Sequence, residues 1–227
     1  EVANVAAATP VPVPMISTSM LLLVFLSSLP MFPGPRLVKE LFARMVRSTR
    51  PVPKWQYTDL SDTGCVLGTV PCSHKHLKEL KESGVEAVVS LNQRWEPQVS
   101  GGLAAACKRA GLTHLALPTP DYSTPNQRDI RKAVDFISKH VEQGGSVYVH
   151  CNAGRGRSAV CVLAYLMQKR GLSAEQAYEL VAAQRKITKL PSRLWGMPRP
   201  QWLALLRFEK ALHRVRDEVD PTPLMDD

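Results

Sequence analysis

The sequence lacks any apolar run long enough to cross a membrane unaided. Its longest uncharged stretch, MISTSMLLLVFLSSL at 15–29, makes a helix of about 22 Å against a hydrocarbon core of about 30 Å. Pro30 and Pro33 then interrupt it, and continuing to Phe32 gives only a marginal span. A disulfide framework is also missing. The 5 cysteines are odd in number and irregular in spacing, which excludes a stapled secreted scaffold and points to free thiols in a reducing compartment. No zinc spacing is present: Cys65, Cys72, His74 and His76 fit none of the usual patterns, so no metal and no cofactor are expected. There is no internal repeat, which excludes a solenoid. Acidic residues are in short supply, 20 against 29 basic ones for a net charge of +9. That balance favours phosphorylated proteins, nucleic acid or anionic lipid as partners, and by itself it does not choose among them.

What is present divides into three parts. Residues 1–54 read as a targeting or membrane-anchoring segment. Its start is proline-spaced (AAATPVPVP), then comes the apolar stretch, then RLVKELFARMVRSTR at 36–50. There Leu37, Leu41, Phe42 and Met45 recur at helical spacing, while Arg36, Lys39, Arg44, Arg47 and Arg50 carry the charge. This is the pattern of a basic amphipathic helix on an anionic membrane surface, so residues 15–50 are expected to attach the chain to a membrane. A cleaved targeting peptide, or a helix docked on the domain, remains an alternative. With Glu1 rather than Met first, a fragment or processed form is expected. Residues 217–227 are acidic and contain two prolines, and are expected to be disordered.

Residues 55–216 alternate strand-like and helix-like segments. GCVLGTV, VEAVVSLN, LTHLALP and SVYVH read as strands. SHKHLKELKESG, GLAAACKRAG and the stretch from Asn126 to Gly145 read as helices. Three more follow: Ser158 to about Arg170, SAEQAYELVAAQR with a capping box between Ser173 and Gln176, and PQWLALLRFEKALHRVRDE. The alternation predicts an α/β domain with a central, mainly parallel sheet flanked by helices.

The chemistry concentrates in VHCNAGRGRS at 149–158. A loop between a strand and a helix N-terminus turns successive backbone N–H groups inward and adds the positive end of the helix dipole. Gly154 and Gly156 allow unusual backbone angles and close approach of a phosphate. Arg157, six positions after Cys151, can return over the loop to hold two phosphate oxygens. Amid these positive elements Cys151 is expected to rest as a thiolate nucleophile. The loop residues Asn152, Ala153, Gly154, Arg155 and Gly156 are then the phosphate-binding cradle. His150 is expected to orient the loop, and Ser158 to donate to the cysteine sulfur and ease its departure. A leaving alkoxide needs a proton, and Asp121, in LPTPDYSTP thirty residues earlier, is the candidate general acid. Its bland reading is an ordinary turn aspartate; Asp129 and Asp135 fall within a helix and are weaker candidates. Lys186, Lys189, Arg193 and Arg199 extend a basic face, and Trp195 lies on the same segment.

HCNAGRGRS resembles the His-Cys-(five residues)-Arg-Ser/Thr signature of the cysteine-based protein tyrosine phosphatases, particularly the dual-specificity branch. Further stretches resemble the mitochondrial protein-tyrosine-phosphatase-like lipid phosphatases that act on phosphatidylglycerophosphate in cardiolipin synthesis: WQYTDLSDTGCVLGTVP, GVEAVVSLNQRWE and AYLMQKRGLSAEQAYELVAAQRKI. The resemblance covers about residues 55–215. It implies the protein tyrosine phosphatase fold, a phosphocysteine intermediate, and an anionic phospholipid substrate at the mitochondrial inner membrane. A plastid or another endomembrane is the alternative location. Departures from the family pattern are Gln93 and Arg94 where acidic residues are common, with only Glu96 in place, Asn152 where a lysine is usual, and a longer connection, KITKLPSRLWGMPRPQ. Phosphoproteins remain an alternative substrate class, phosphoinositides, RNA 5′-phosphates and glycans lesser ones, and an inactive phosphate-binding scaffold another. Nucleic acid is not expected as a partner.

Overall fold

In the computed structural model the described residues are Arg44, 51–191, 193–194 and 197–219, with side chains unassigned at 193–194, 197–198 and 215–219. The expected amphipathic and apolar segment at 15–50, apart from Arg44, lies outside them, as do Trp195 and the tail from 220. Seven strands alternate with six helices among these residues: β1 Tyr57–Leu60, β2 Cys65–Gly68, α1 His74–Glu82, β3 Val85–Ser90, α2 Leu103–Arg109, β4 Thr113–Ala116, α3 Gln127–Glu142, β5 Ser146–His150, α4 Arg157–Arg170, α5 Ala174–Gln184, β6 Arg193–Leu194, β7 Met197–Pro198 and α6 Pro200–Val219. Five strands form one sheet in the order β1-β2-β5-β3-β4. The pairings β2–β5, β5–β3 and β3–β4 are parallel and β1–β2 is antiparallel, giving a mixed sheet in an α/β fold.

The inner strands β2, β5 and β3 are largely apolar on both faces because helices cover both. Side chains alternate between two cores. Cys65, Leu67, Ala87, Val89, Val147 and Val149 face the larger one with α3, α4, α5 and α6. Val66, Val88 and Tyr148 face the smaller one with α1 and α2. The helices start where local chemistry directs. Ser73 caps α1 through His76 N, Asn126 caps α3 through Asp129 N, and Ser173 and Gln176 form the expected capping box of α5. Helix α3 buries Ile130, Ala133, Val134 and Ile137, a stripe at i, i+3, i+4 and i+7. Helix α4 is different. From Arg157 to Met167 every residue is buried, so it runs through the centre of the domain and its N-terminus is fixed from all sides.

Two elements do not follow from the periodicity. Strand β1 is mostly polar and only Leu60 is fully buried; it exists because β2 offers it a hydrogen-bonding edge. The long connection before α6 contains the short β6–β7 hairpin.

Candidate active site

Strand β5 is central, with Gly68 of β2 and Ser90 of β3 pairing with His150 on either side. Leu91 N donates to the His150 carbonyl at 2.9 Å. The sheet therefore fixes where the chain leaves for the loop Cys151–Gly156, and buried α4 fixes where it arrives. Between these points the loop is tied down by its carbonyls: Asn152 O accepts from Val70 N at 3.2 Å and Arg155 O from Thr188 N at 2.9 Å, while Gly154 O accepts from Arg185 Nε at 3.2 Å. With the carbonyls held outward, the N–H groups are left to face the cysteine.

Gly154 has φ +63 and no room for a side chain; a Cβ there would fall on the Gly68 carbonyl and 3.0 Å from Arg185 Nη2. Gly154→Ala is therefore expected to distort the loop, lowering kcat/KM by about a hundredfold while the fold survives. Steady-state kinetics beside circular dichroism checks this; full activity would show that the loop tolerates the shift.

Cys151 is 4% exposed. Burial pushes its thiol up, but the Arg157 charge, the Ser158 hydroxyl and the backbone N–H groups of Ser158 and Arg155 outweigh burial, and the thiol lies below its ordinary value. Ser158 Oγ donates to Cys151 Sγ at 3.3 Å. At two other buried thiols burial prevails: Cys65 is pushed up to about 12 and Cys107 to about 11. A depressed acid is ionised above its folded pKa, so Cys151 is expected to alkylate as a thiolate from below the ordinary thiol range upward. In Ser158→Ala the midpoint of iodoacetate inactivation should move to higher pH, and an unmoved midpoint would remove Ser158 from this role.

Arg157 is 2% exposed and held at nearly every donor. Nη1 donates to Glu96 Oε1 at 2.6 Å, to Thr119 O at 2.8 Å and to Leu91 O at 3.3 Å. Nη2 donates to Glu96 Oε2 at 2.8 Å and pairs with Asp121 Oδ1 at 3.0 Å. Burial opposes the charge, but Glu96, Cys151 and Asp121 keep the guanidinium firmly protonated. Its buried Nε has no partner within the chain. The terminal fork expected to grip phosphate is thus occupied by Glu96; on the side-on edge Nε is unpartnered and Nη2 is held by Asp121, so two phosphate oxygens bind there by taking the Nη2 hydrogen from that carboxylate. Because Nη2 also bonds Asp121, a phosphate on that edge lies beside this carboxylate.

The structure brings Asp121 to the site on a constrained turn. Ser123 N and Oγ both donate to Pro120 O, and Tyr122, at φ +61, donates its N–H to Asp121 Oδ1 at 3.0 Å. Asp129 instead sits in the first turn of α3, where its carboxylate accepts from Nδ2 of the capping Asn126 at 2.7 Å. His150 is fully buried; burial lowers its imidazole to about 3, so it is neutral, with Nδ1 3.3 Å from the Cys151 carbonyl. Arg155 is exposed and its Nε donates to the Lys186 carbonyl at 3.3 Å, which holds it at the mouth rather than in the cradle. The Asn152 side chain is buried with Oδ1 unpartnered.

Sequence reasoning passed over two residues. Glu96 was legible as a glutamate after a strand, but not as the clamp of Arg157. Arg185, on the C-terminal side of α5, also bonds Thr58 Oγ1 at 3.1 Å and ties β1 to the catalytic loop. As for the cysteine–histidine group, the Cys72 N–H donates to His76 Nδ1 and the His76 ring stacks on Trp55. No group of three metal-ligating side chains occurs among the described residues.

Comparison with known proteins agrees with this geometry. The family of dual specificity phosphatase catalytic domains matches residues 67–197. An Arabidopsis thaliana protein named phosphatidylglycerophosphate phosphatase PTPMT2 is 36% identical over 152 residues, 62% of this chain and 65% of that protein. The Mus musculus phosphatidylglycerophosphatase and protein-tyrosine phosphatase 1 is 33% identical over 162 residues, 70% of this chain and 82% of the relative. The match thus spans just under two thirds of the plant relative's length. Among solved structures, PTPMT1 superposes with a TM-score of 0.62 at 30% identity, covering 72% of this chain and 99% of that one. The same protein in complex with PI(5)P gives 0.61 at 29% identity, over 71% and 98%.

Proposed function

We propose that this chain, which belongs to the dual specificity phosphatase family and within it to the protein-tyrosine-phosphatase-like phosphatidylglycerophosphate phosphatases, hydrolyses the terminal phosphomonoester of phosphatidylglycerophosphate. The observation that carries the chemistry is the Cys151 thiol beside Ser158 at the head of α4, under the clamped guanidinium of Arg157. The Cys151 thiolate attacks phosphorus in line. The bond to the leaving oxygen breaks as Asp121 delivers a proton to it, and the phosphoryl group rests on sulfur. Water then attacks, its proton returns to Asp121, and phosphate leaves as the thiolate reforms with the Ser158 hydroxyl stabilising it. The loop N–H groups and the Nε–Nη2 edge of Arg157 bind the equatorial oxygens most tightly when phosphorus is trigonal, which lowers the barrier rather than only binding substrate.

The lipid reading is supported by the relatives' names and by the cations around the mouth. Phosphatidylglycerophosphate carries a diester besides its monoester, and Arg155, exposed on the catalytic loop, supplies a second positive group for it. Attachment through residues 15–50 and location at the mitochondrial inner membrane, with a plastid or other endomembrane as the alternative, belong to the same proposal. A protein substrate is the second reading, favoured by the protein-tyrosine phosphatase in the mouse relative's name. The deciding experiment compares phosphate release by the full chain from phosphatidylglycerophosphate, PI(5)P and a phosphotyrosine peptide. The highest kcat/KM is expected on phosphatidylglycerophosphate; a preference for the peptide would overturn the lipid assignment and leave the mechanism intact.

A further inference from the structure

Strands β2, β5, β3 and β4 run parallel, so the loops leaving them, 69–73, 151–156, 91–102 and 117–126, gather at one edge of the sheet. Helix α5 returns to the same edge, where Arg185 reaches Gly154 O. The sequences of these four loops, together with 185–191, contain two carboxylates, Glu96 and Asp121. Arg157 holds both. Arg94, Arg155, Lys186 and Lys189 are exposed at this edge. The far edge has mixed sign and internal pairing: Glu86 bonds Lys81 at 2.6 Å and Glu142 bonds Lys169 at 2.9 Å. Among the described residues, exposed cations thus outnumber carboxylates around the catalytic mouth.

Two apolar side chains stand out on this edge. Tyr122, next to Asp121, is 46% exposed although its backbone sits at φ +61, a conformation that a bulky residue rarely adopts. The Pro120–Ser123 turn and the bond from Gln201 Nε2 to Ser123 O keep it there. Val52 is 50% exposed. Because β1 is antiparallel, with Tyr57 opposite Gly68, residues 51–56 lead into the sheet at this same edge, beside exposed Lys54. The chain ahead of them carries the apolar and basic stretches. An excess of exposed cations, a projecting tyrosine and the chain's own point of arrival are what a membrane-facing surface requires.

We infer that this edge, catalytic mouth included, docks on an anionic lipid bilayer, with Tyr122 at headgroup level. The inference deepens the lipid reading above and rests on it. The mouth then opens onto the leaflet, and a headgroup phosphate enters the loop without leaving the membrane. Each lysine near the surface is worth about fivefold in membrane affinity.

The test uses the full chain. In Tyr122→Trp, vesicles of phosphatidylcholine and phosphatidylglycerol with brominated acyl chains should quench tryptophan emission beyond the parent protein. Vesicles of phosphatidylcholine alone should not, and high salt should abolish the excess. In Lys186→Glu/Lys189→Glu, turnover of vesicle-borne phosphatidylglycerophosphate should fall about tenfold or more. The same variant should cleave p-nitrophenyl phosphate in solution at the parent rate, which also shows that it is folded. Quenching equal to the parent's, or an equal loss on both substrates, would overturn the docking surface. Phosphatidylglycerophosphate left intact by a Tyr122→Trp chain that shows the excess quenching would overturn the substrate reading alone.

Discussion

Cys151→Ser should abolish phosphate release, by about 10^4-fold or more, while the protein still folds and still binds its phosphorylated ligand. The loss is large because the surroundings are built for a thiolate. Arg157, the Ser158 hydroxyl and the backbone N–H groups of Ser158 and Arg155 draw the thiol down against a burial that would otherwise raise it. A serine hydroxyl in the same place stays protonated and hydrogen-bonded. The cradle itself is unaffected, since its donors are backbone groups and the side-on edge of Arg157. Turnover and equilibrium binding of vanadate or the lipid should therefore separate, with kcat lost and affinity kept. Retained turnover in this variant would mean that the phosphoryl group never reaches sulfur.

The second large effect concerns Glu96. Its carboxylate is fully buried and accepts both terminal nitrogens of Arg157, at 2.6 and 2.8 Å. It is itself held by Gln93 N at 2.8 Å and by Asn92 Nδ2 at 3.2 Å. Glu96→Ala strands a guanidinium that is 2% exposed. Breaking one partner of such a buried pair costs about 3–5 kcal/mol, which in a domain of this size lowers the melting temperature by about 10 °C. The Nε–Nη2 edge also loses its aim, and kcat should fall by about a hundredfold or more. Glu96→Gln keeps the shape and one acceptor, so it should recover much of the stability and only part of kcat. Thermal melts and steady-state kinetics on the three proteins check this. Wild-type kcat in Glu96→Ala would show that Leu91 O, Thr119 O and Asp121 suffice to position Arg157.

The contrast between these two residues shows what a sequence discloses. Cys151, Gly154, Arg157 and Ser158 were legible because local covalent spacing sets their geometry: a strand, a turn and a helix start within ten positions. Asp121 was legible in part, because the prolines around it mark a shaped loop. Its meeting with Arg157 depends on β4 lying beside β3 in the sheet, which spacing does not encode. Glu96 and Arg185 act across 61 and 31 positions, and nothing near either residue announces its partner. The same distinction holds for the fold. Helix α3 and strands β3 and β5 follow from their own apolar patterns, whereas β1 is polar enough to read as a loop and exists through its pairing with β2. Arg155 carries a subtler lesson: its place in the loop suggested a phosphate ligand, yet its bond to the Lys186 carbonyl places the side chain at the rim.

The measurement that bears most directly on the central claim is direct capture of the intermediate. The full chain would be mixed with phosphatidylglycerophosphate in vesicles, quenched in acid during turnover and digested for mass spectrometry. A single phosphoryl group on the peptide containing Cys151, assigned to that sulfur and absent in Cys151→Ser, is the predicted result. Phosphate on His150, or sustained turnover with an unmodified Cys151 peptide at every quench time, would contradict it.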